Sequence, residues 1–287
     1  QGIEGTWGIA GASAKFWAGG APAFPAMKHI QSRENVFFKG LKRLAESARE
    51  RRKAGRTLLD GLHLVEAYEA IYGPVETLVL AESAMGHVEI ARYVAGRDFI
   101  LLGDALMQDL GLVDSPSGLL AVVAPPDGHA AVNLENDAIL LDAVQDPGNV
   151  GALLRTAAAA GVTQALLSPG CASAWSPKVL RAGQGAHFAL AIHEEVDLAA
   201  FITEFRGVTA VTCLNGATSL YDAHWYGPLA WIFGAEGQGV RTELIERASL
   251  RISIPMPGAV ESLNVGAAAA VCLFEMVRRR LPMHAFS

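Results

Sequence analysis

The sequence is sparing with several things, and each scarcity closes a class of answer. Its three cysteines, Cys171, Cys213 and Cys272, stand far apart and form no CxxC pair. Neither a disulfide framework nor a thiolate zinc site is expected, and a reducing, cytoplasmic setting is. Eight histidines show no HxxxH or HExxH spacing, so no metal site is expected. No apolar run reaches the roughly 18 residues that a membrane span needs. Only 7% of residues are aromatic, whereas 51% are apolar and 30 are glycine. That apolar fraction excludes a disordered chain. At 287 residues the chain has room for one large or two small domains, and its small side chains suit close packing of helices on a sheet.

Excess charge is also scarce: 18% of residues are charged and the net charge is −6. An acidic chain argues against a nucleic-acid partner. The average, however, hides an asymmetry. Between Lys28 and Arg56 there are ten basic residues (Lys28, Arg33, Lys39, Lys42, Arg43, Arg49, Arg51, Arg52, Lys53, Arg56) against three glutamates. This stretch carries +7 and the remainder −13. A charge run reads as a solvated helix face or as a phosphate-binding patch, and composition alone favours the first.

Residues 1–26 are rich in Gly and Ala, show no period and end just before Met27. They have no charged n-region before an apolar core, so they make a poor signal peptide. They are expected to be a non-native leader. Apolar residues at helical spacing (Val36, Phe37, Leu41, Leu44, Ala48) predict a basic amphipathic helix over 29–54, with a turn near Gly40 and an end at Gly55. Strands are expected at 57–59, 76–81, 98–102 and 118–124, and a helix at 63–72. Residues 27–124 therefore read as a small α/β domain, and Pro125-Pro126-Asp127-Gly128 opens a linker over 125–132. The alternation restarts in 133–287. Apolar strands are expected at 138–144, 164–167, 188–192, 208–214, 229–233 and 250–254. Helices fall between them, and the last runs from about Leu263 to Arg280. Continuous apolar strands alternating with helices predict a parallel sheet covered on both faces.

Three segments of this second unit carry polar residues at the turns after strands, where open α/β sheets bind ligands. The first, Asn149-Val-Gly-Ala-Leu-Leu-Arg155, opens a helix that Asn149 can cap. Arg155 is its one charge, and a lone Arg is more often a surface residue than a functional one. The second, Gly234-Ala-Glu236-Gly237-Gln-Gly239, follows a strand. Its order is G-x-x-G-x-G, not the dinucleotide fingerprint G-x-G-x-x-G, and no acid follows on a strand end about 20 residues on. It is either a plain turn or a backbone that lies against a ligand. The third runs from Ile254 through Pro255, Met256, Pro257 and Gly258 to Ser262, Leu263 and Asn264. Met256 and Leu263 could flank a flat ring, and Ser262 or Asn264 could cap the last helix.

In this order and spacing, the three segments resemble the signature motifs of the SpoU (TrmH-like) RNA ribose 2′-O-methyltransferases of the SPOUT class. The resemblance covers the chain from about Ile139 to its end. The stretch Gly40 to Tyr72 also looks like the small substrate-binding domain that many of these enzymes carry in front. The resemblance implies an α/β fold in which a parallel sheet carries a C-terminal trefoil knot, preceded by a smaller N-terminal α/β domain. Nothing in periodicity predicts a knot. It further implies a homodimer formed through the knotted domain, and S-adenosylmethionine held by Leu214, Asn215, Gly216, Gly234, Glu236, Gly237, Ile254, Met256, Ser262, Leu263 and Asn264. Arg155 matches the family's catalytic Arg, with Asn149, Glu236, Ser262 and Asn264 as its polar partners. With that family in view, Lys39, Lys42, Arg43, Arg49, Arg51, Arg52, Lys53 and Arg56 become candidate RNA contacts, and ribosomal RNA is favoured over tRNA. The competing readings are base methylation within the same class, a non-catalytic RNA-binding homologue, and a nicotinamide-dependent oxidoreductase using Gly234–Gly239.

Overall fold

The structure is a computed structural model that describes residues 28–112, 116–126, 131–213, 217–259 and 262–281. The predicted leader lies outside the described residues, as do Leu214, Asn215, Gly216 and residues 127–130 of the linker. Among the described residues no helix is long and apolar enough to cross a membrane.

The first part of the chain forms β1 (Lys28–Ile30), α1 (Val36–Glu46), α2 (Ala48–Ala54), β2 (Thr57–Asp60), α3 (Leu62–Tyr72), β3 (Thr77–Ala81), α4 (Val88–Val94), β4 (Ile100–Leu102), α5 (Asp104–Asp109) and β5 (Leu119–Val123). Its five strands make one mixed sheet in the order β1-β4-β3-β5-β2, with β5 antiparallel to both neighbours. The helix expected over 29–54 is in fact a strand and two helices. Gly40 lies buried inside α1, not at a turn. The break comes at Ser47, whose hydroxyl accepts the Glu50 N–H at 3.2 Å and so starts α2 anew. Gly55 ends α2 as expected, at φ +60°.

The second part forms β6 (Ala138–Asp142), α6 (Pro147–Ala159), β7 (Gln164–Leu167), α7 (Pro177–Gly183), β8 (Ala191–His193), α8 (Leu198–Glu204), β9 (Val208–Thr212), β10 (Thr218–Ser219), β11 (Leu229–Gly234), α9 (Thr242–Arg247), β12 (Leu250–Ser253) and α10 (Val265–Arg280). Seven parallel strands lie in the order β10-β12-β9-β11-β6-β7-β8. The later strands insert between earlier ones: β11 between β9 and β6, and β12 between β10 and β9. Alternation along β6 fixes the two faces. Ile139 and Leu141 pack with Val150, Leu153 and Leu154 of α6 and Cys272, Leu273 and Met276 of α10. Ala138 and Leu140 pack with Leu198, Phe201 and Leu244 of α8 and α9. The strand expected at 188–192 starts later, because Gly185 (φ +88°) leads into a 3₁₀ turn at Ala186–Phe188. That turn points Phe188 edge-on at Tyr68 and Tyr72 of α3.

The two sheets meet through polar pairs as well as rings. The Thr57 hydroxyl donates to the Trp175 carbonyl at 2.7 Å. Asp60, its side chain fully buried, pairs with Arg181 at 3.1 Å and accepts from the Ser117 hydroxyl at 2.6 Å. Behind this seam His187 is wholly enclosed, with Nε2 2.8 Å from the Ala174 carbonyl and Nδ1 without a partner among the described residues. Burial pushes its pKa down to about 4. The unfolded chain takes up that proton near pH 6.5 and the native chain does not, so stability falls as pH drops from about 6.5 towards 4. Between pH 7 and pH 5 His187 alone should remove about 2 kcal/mol. Half-buried His193, also lowered by burial, acts with the same sign. Urea unfolding at the two pH values should show the loss. His187→Gln should flatten it, and an unchanged slope in that variant would assign the pH dependence elsewhere.

Candidate active site

Because the seven strands are parallel, their carboxyl ends share one edge, and the loops after β6, β11 and β12 all leave from it, with β9 between β11 and β12. Pro147 at N1 and the Asp146 cap start α6. The sequence pointed to Asn149 as that cap. Instead, Asp146 Oδ1 accepts the Asn149 N–H at 2.7 Å, since a cap side chain bonds the N–H two or three residues on. Asn149 is thereby left with a free side chain at the first turn.

That side chain meets the other two motifs. Asn264 is the N-cap of α10, its Oδ1 accepting the N–H groups of Gly266 at 2.9 Å and Ala267 at 3.3 Å. Its Nδ2 donates to Asn149 Oδ1 at 3.2 Å and to Glu236 Oε1 at 2.6 Å. One amide thus joins all three segments, with both ends of its dipole committed. The loop carrying Glu236 is tightly wound. Gly239 N–H donates to the Ala235 carbonyl at 2.8 Å. A Cβ on Gly234 would lie 2.2 Å from the Gly239 carbonyl carbon and oxygen, so only glycine lets the loop fold back on its own strand. Behind α6, a Cβ on Gly151 would lie 2.4 Å from Ala182 Cβ, and this absence lets α7 press against α6.

Arg155 does not join this cluster. It is exposed, nine residues into α6, and has no hydrogen bond or ion pair among the described residues. Six residues past Asn149 it is about 9 Å along the axis and leaves a different face. It lies near α10, since Ala152, one turn before it, sits 3.7 Å from where a Gly266 Cβ would be. Ser262 is exposed and likewise unbonded among the described residues. Ile254 and Met256 are half-buried, and Leu263 is exposed. No backbone hydrogen bond joins residues 254–259 to the rest of the described chain. A strip of main-chain donors and acceptors beside apolar side chains, tied to the Gly234–Gly239 turn through Asn264 and Glu236, fits an adenosyl group held by backbone. All three thiols are pushed up by burial, Cys272 to about 12, which disfavours their thiolate forms.

The model of the SpoU rRNA Methylase family matches residues 137–274. Over 253 residues the chain is 31% identical to the 23S rRNA (guanosine(2553)-2′-O)-methyltransferase RlmP of Bacillus subtilis, spanning 87% of this chain and 99% of that protein. The chain belongs to the SpoU family. A solved RNA 2′-O ribose methyltransferase superposes with a TM-score of 0.76 at 28% identity, over 88% of this chain and 100% of the other. The SpoU methyltransferase AviRb from Streptomyces viridochromogenes, in complex with AdoMet, does so with a TM-score of 0.76 at 25% identity, over 86% and 98%.

In this SpoU chain the basic run of the first part is not one uniform patch. Arg51 is a correction: it is 6% exposed, and its guanidinium donates to the Leu44 and Ala45 carbonyls at 2.8 and 3.2 Å. It closes the end of α1 with that guanidinium and does not stand free on the surface as the other basic residues of α2 do. Lys39 pairs with Glu34, Lys42 with Glu46 and Arg56 with Glu76. Arg43 is exposed and bonds only a carbonyl of its own helix. Arg49, Arg52 and Lys53 are exposed on α2 with no ion pair among the described residues. Sequence reading also passed over Asp142, Arg241 and Ser168, which lie behind the Glu236 loop. The signal was there in Asp142, the one acid of the otherwise apolar run 138–144.

Proposed function

We propose that this chain transfers the methyl group of S-adenosylmethionine to a ribose 2′-hydroxyl of ribosomal RNA. The observation that carries the proposal is the Asn149–Asn264–Glu236 junction, which gathers the three motifs of a SpoU chain at one sheet edge. The relative RlmP, similar over nearly its whole length, is named for that reaction on 23S rRNA. When bound, the cofactor supplies an electrophilic methyl on a sulfonium that carries its own leaving group. Among the described residues, the backbone of residues 254–259, the Gly234–Gly239 turn, Met256 and Leu263 would hold its adenosyl part. Asn264 and Glu236 hold these loops in register.

The protein must also align the ribose and stabilise the oxygen as its proton leaves. Arg155 fits that role as a fixed cation that binds the neighbouring phosphate and the developing alkoxide, since a guanidinium is a poor base in water. In this reading the insertion of β11 and β12 between earlier strands belongs to a trefoil knot. A homodimer forms through the small-residue helices α6 and α10, where Phe274 is left exposed. The five-stranded unit, 27–124, grips the RNA through Arg43, Arg49, Arg52 and Lys53 on α1 and α2, and 133–287 performs the transfer in the cytoplasm.

Ribosomal RNA incubated with the chain and labelled S-adenosylmethionine should carry the label in a linkage that survives alkaline hydrolysis, because a methylated 2′-oxygen cannot attack its phosphate. Label in alkali-labile nucleotides would make the enzyme a base methyltransferase, and no label would favour a non-catalytic homologue.

A further inference from the structure

Asp142 ends β6 with its side chain 1% exposed, and it makes no hydrogen bond to the Asn264 junction among the described residues. Its two oxygens are taken by one residue: Arg241 N–H donates to Oδ2 and Arg241 Nε to Oδ1, both at 2.8 Å. The Ser168 hydroxyl, at the end of β7, adds a contact at 3.3 Å and also accepts the Ala143 N–H at 2.9 Å. Arg241 directly follows the loop that carries Glu236. One end of that loop is set by Gly234, which a side chain would drive into Gly239, and the other by this buried carboxylate. Between these two ends, Glu236 accepts from the Asn264 side-chain amide at 2.6 Å.

We infer that Asp142 and Arg241 are positioning residues that clasp the Gly234–Gly239 loop against β6 and thereby set the cofactor site. The inference rests on the methyltransferase reading above. Charge-assisted hydrogen bonds to a buried carboxylate are the strong kind, and the low dielectric around Asp142 strengthens them. The Arg241 side chain, by contrast, is 54% exposed. Its removal opens no cavity, and Asp142 keeps the Arg241 N–H and Ser168. A loosened loop with an intact fold is the expected consequence.

Arg241→Ala should raise the Kd for S-adenosylhomocysteine about tenfold, while kcat at saturating S-adenosylmethionine stays within about threefold and the melting temperature within about 3 °C. In the cofactor-free protein, amide exchange at Gly239 should quicken about tenfold, a readout that needs no ligand. Asp142→Asn should repeat the Kd change, and the double variant should be no worse than either single one. Unchanged Kd and exchange in Arg241→Ala would overturn the inference. So would a fall in melting temperature that takes cofactor affinity and kcat down together, which would leave the pair as a prop of the fold. Wild-type chain that fails to bind S-adenosylhomocysteine would overturn the methyltransferase reading first, and the clasp's role in cofactor binding with it.

Discussion

Replacing Arg155 by alanine should lower methylation by a factor of 10² to 10³ or more while the Kd for S-adenosylhomocysteine stays within about twofold. The geometry separates the two effects. The cofactor candidates occupy the loops after β11 and β12, tied by Asn264 to Glu236. Arg155 is nine residues into α6, on another face from Asn149 and bonded to nothing among the described residues. A cation without a protein partner neither braces the cofactor loops nor stabilises the fold, so its removal should leave both alone. What it offers is an unspent fork of donors next to α10. Arg155→Lys keeps the charge but loses bidentate contact with phosphate or alkoxide, and should fall between alanine and wild type. Calorimetric titration and single-turnover methylation on the same preparations measure both quantities. Loss of cofactor affinity in step with activity would place Arg155 in the cofactor site instead, and full activity would return it to the role of a surface residue.

The sheet of the second unit was legible because its central strands are mostly apolar. AILL and LAWIF put apolar side chains on both faces, and a parallel sheet covered on both sides buries them so. The order of strands was not legible, since β9, β11 and β12 look alike to any local pattern and their insertion between earlier strands is a long-range choice. In the first unit, Gly40 misled because a glycine in a helical pattern is read as a turn, whereas tertiary packing buries it inside α1. Asn149 was found for a wrong reason. Two cap-forming residues stand three apart, and with Pro147 fixed at the first helical position the cap must be Asp146. The Asn264 junction itself lies beyond any sequence argument, because Asn149, Glu236 and Asn264 are separated by tens of residues and meet only once the sheet edge exists. The same holds for the acids that close TLLD and AILLD. Asp60 falls just past the strand expected at 57–59 and Asp142 inside the one expected at 138–144, and what pairs with each comes from far along the chain.

Neutralising Arg49, Arg52 and Lys53 together should flatten the salt dependence of RNA binding. Each phosphate contact contributes about 0.7 to 0.9 to the slope of log K against log salt, so losing three should lower it by about 2 to 3. Contacts that vanish near 1 M salt are then worth about a hundredfold in affinity at 0.1 M. The structure chooses these three because they project from α2 without a partner among the described residues, whereas Lys39, Lys42 and Arg56 are already engaged by glutamates. Arg51 supplies the contrast. It sits in the same run of basic residues, but its guanidinium is enclosed on the Leu44 and Ala45 carbonyls and its pKa is lowered by that burial. Arg51→Ala should therefore lower the melting temperature, because buried acceptors lose their donor, and leave the salt slope as it was. Filter binding across a salt series with the triple variant and Arg51→Ala separates the two roles. A slope unchanged by the triple variant would make the basic run a solvated helix face. A slope flattened by Arg51→Ala without loss of stability would put the phosphate contact at the buried residue instead. The acidic remainder of the chain repels RNA wherever α2 does not reach, so binding should orient on that helix rather than spread over the surface.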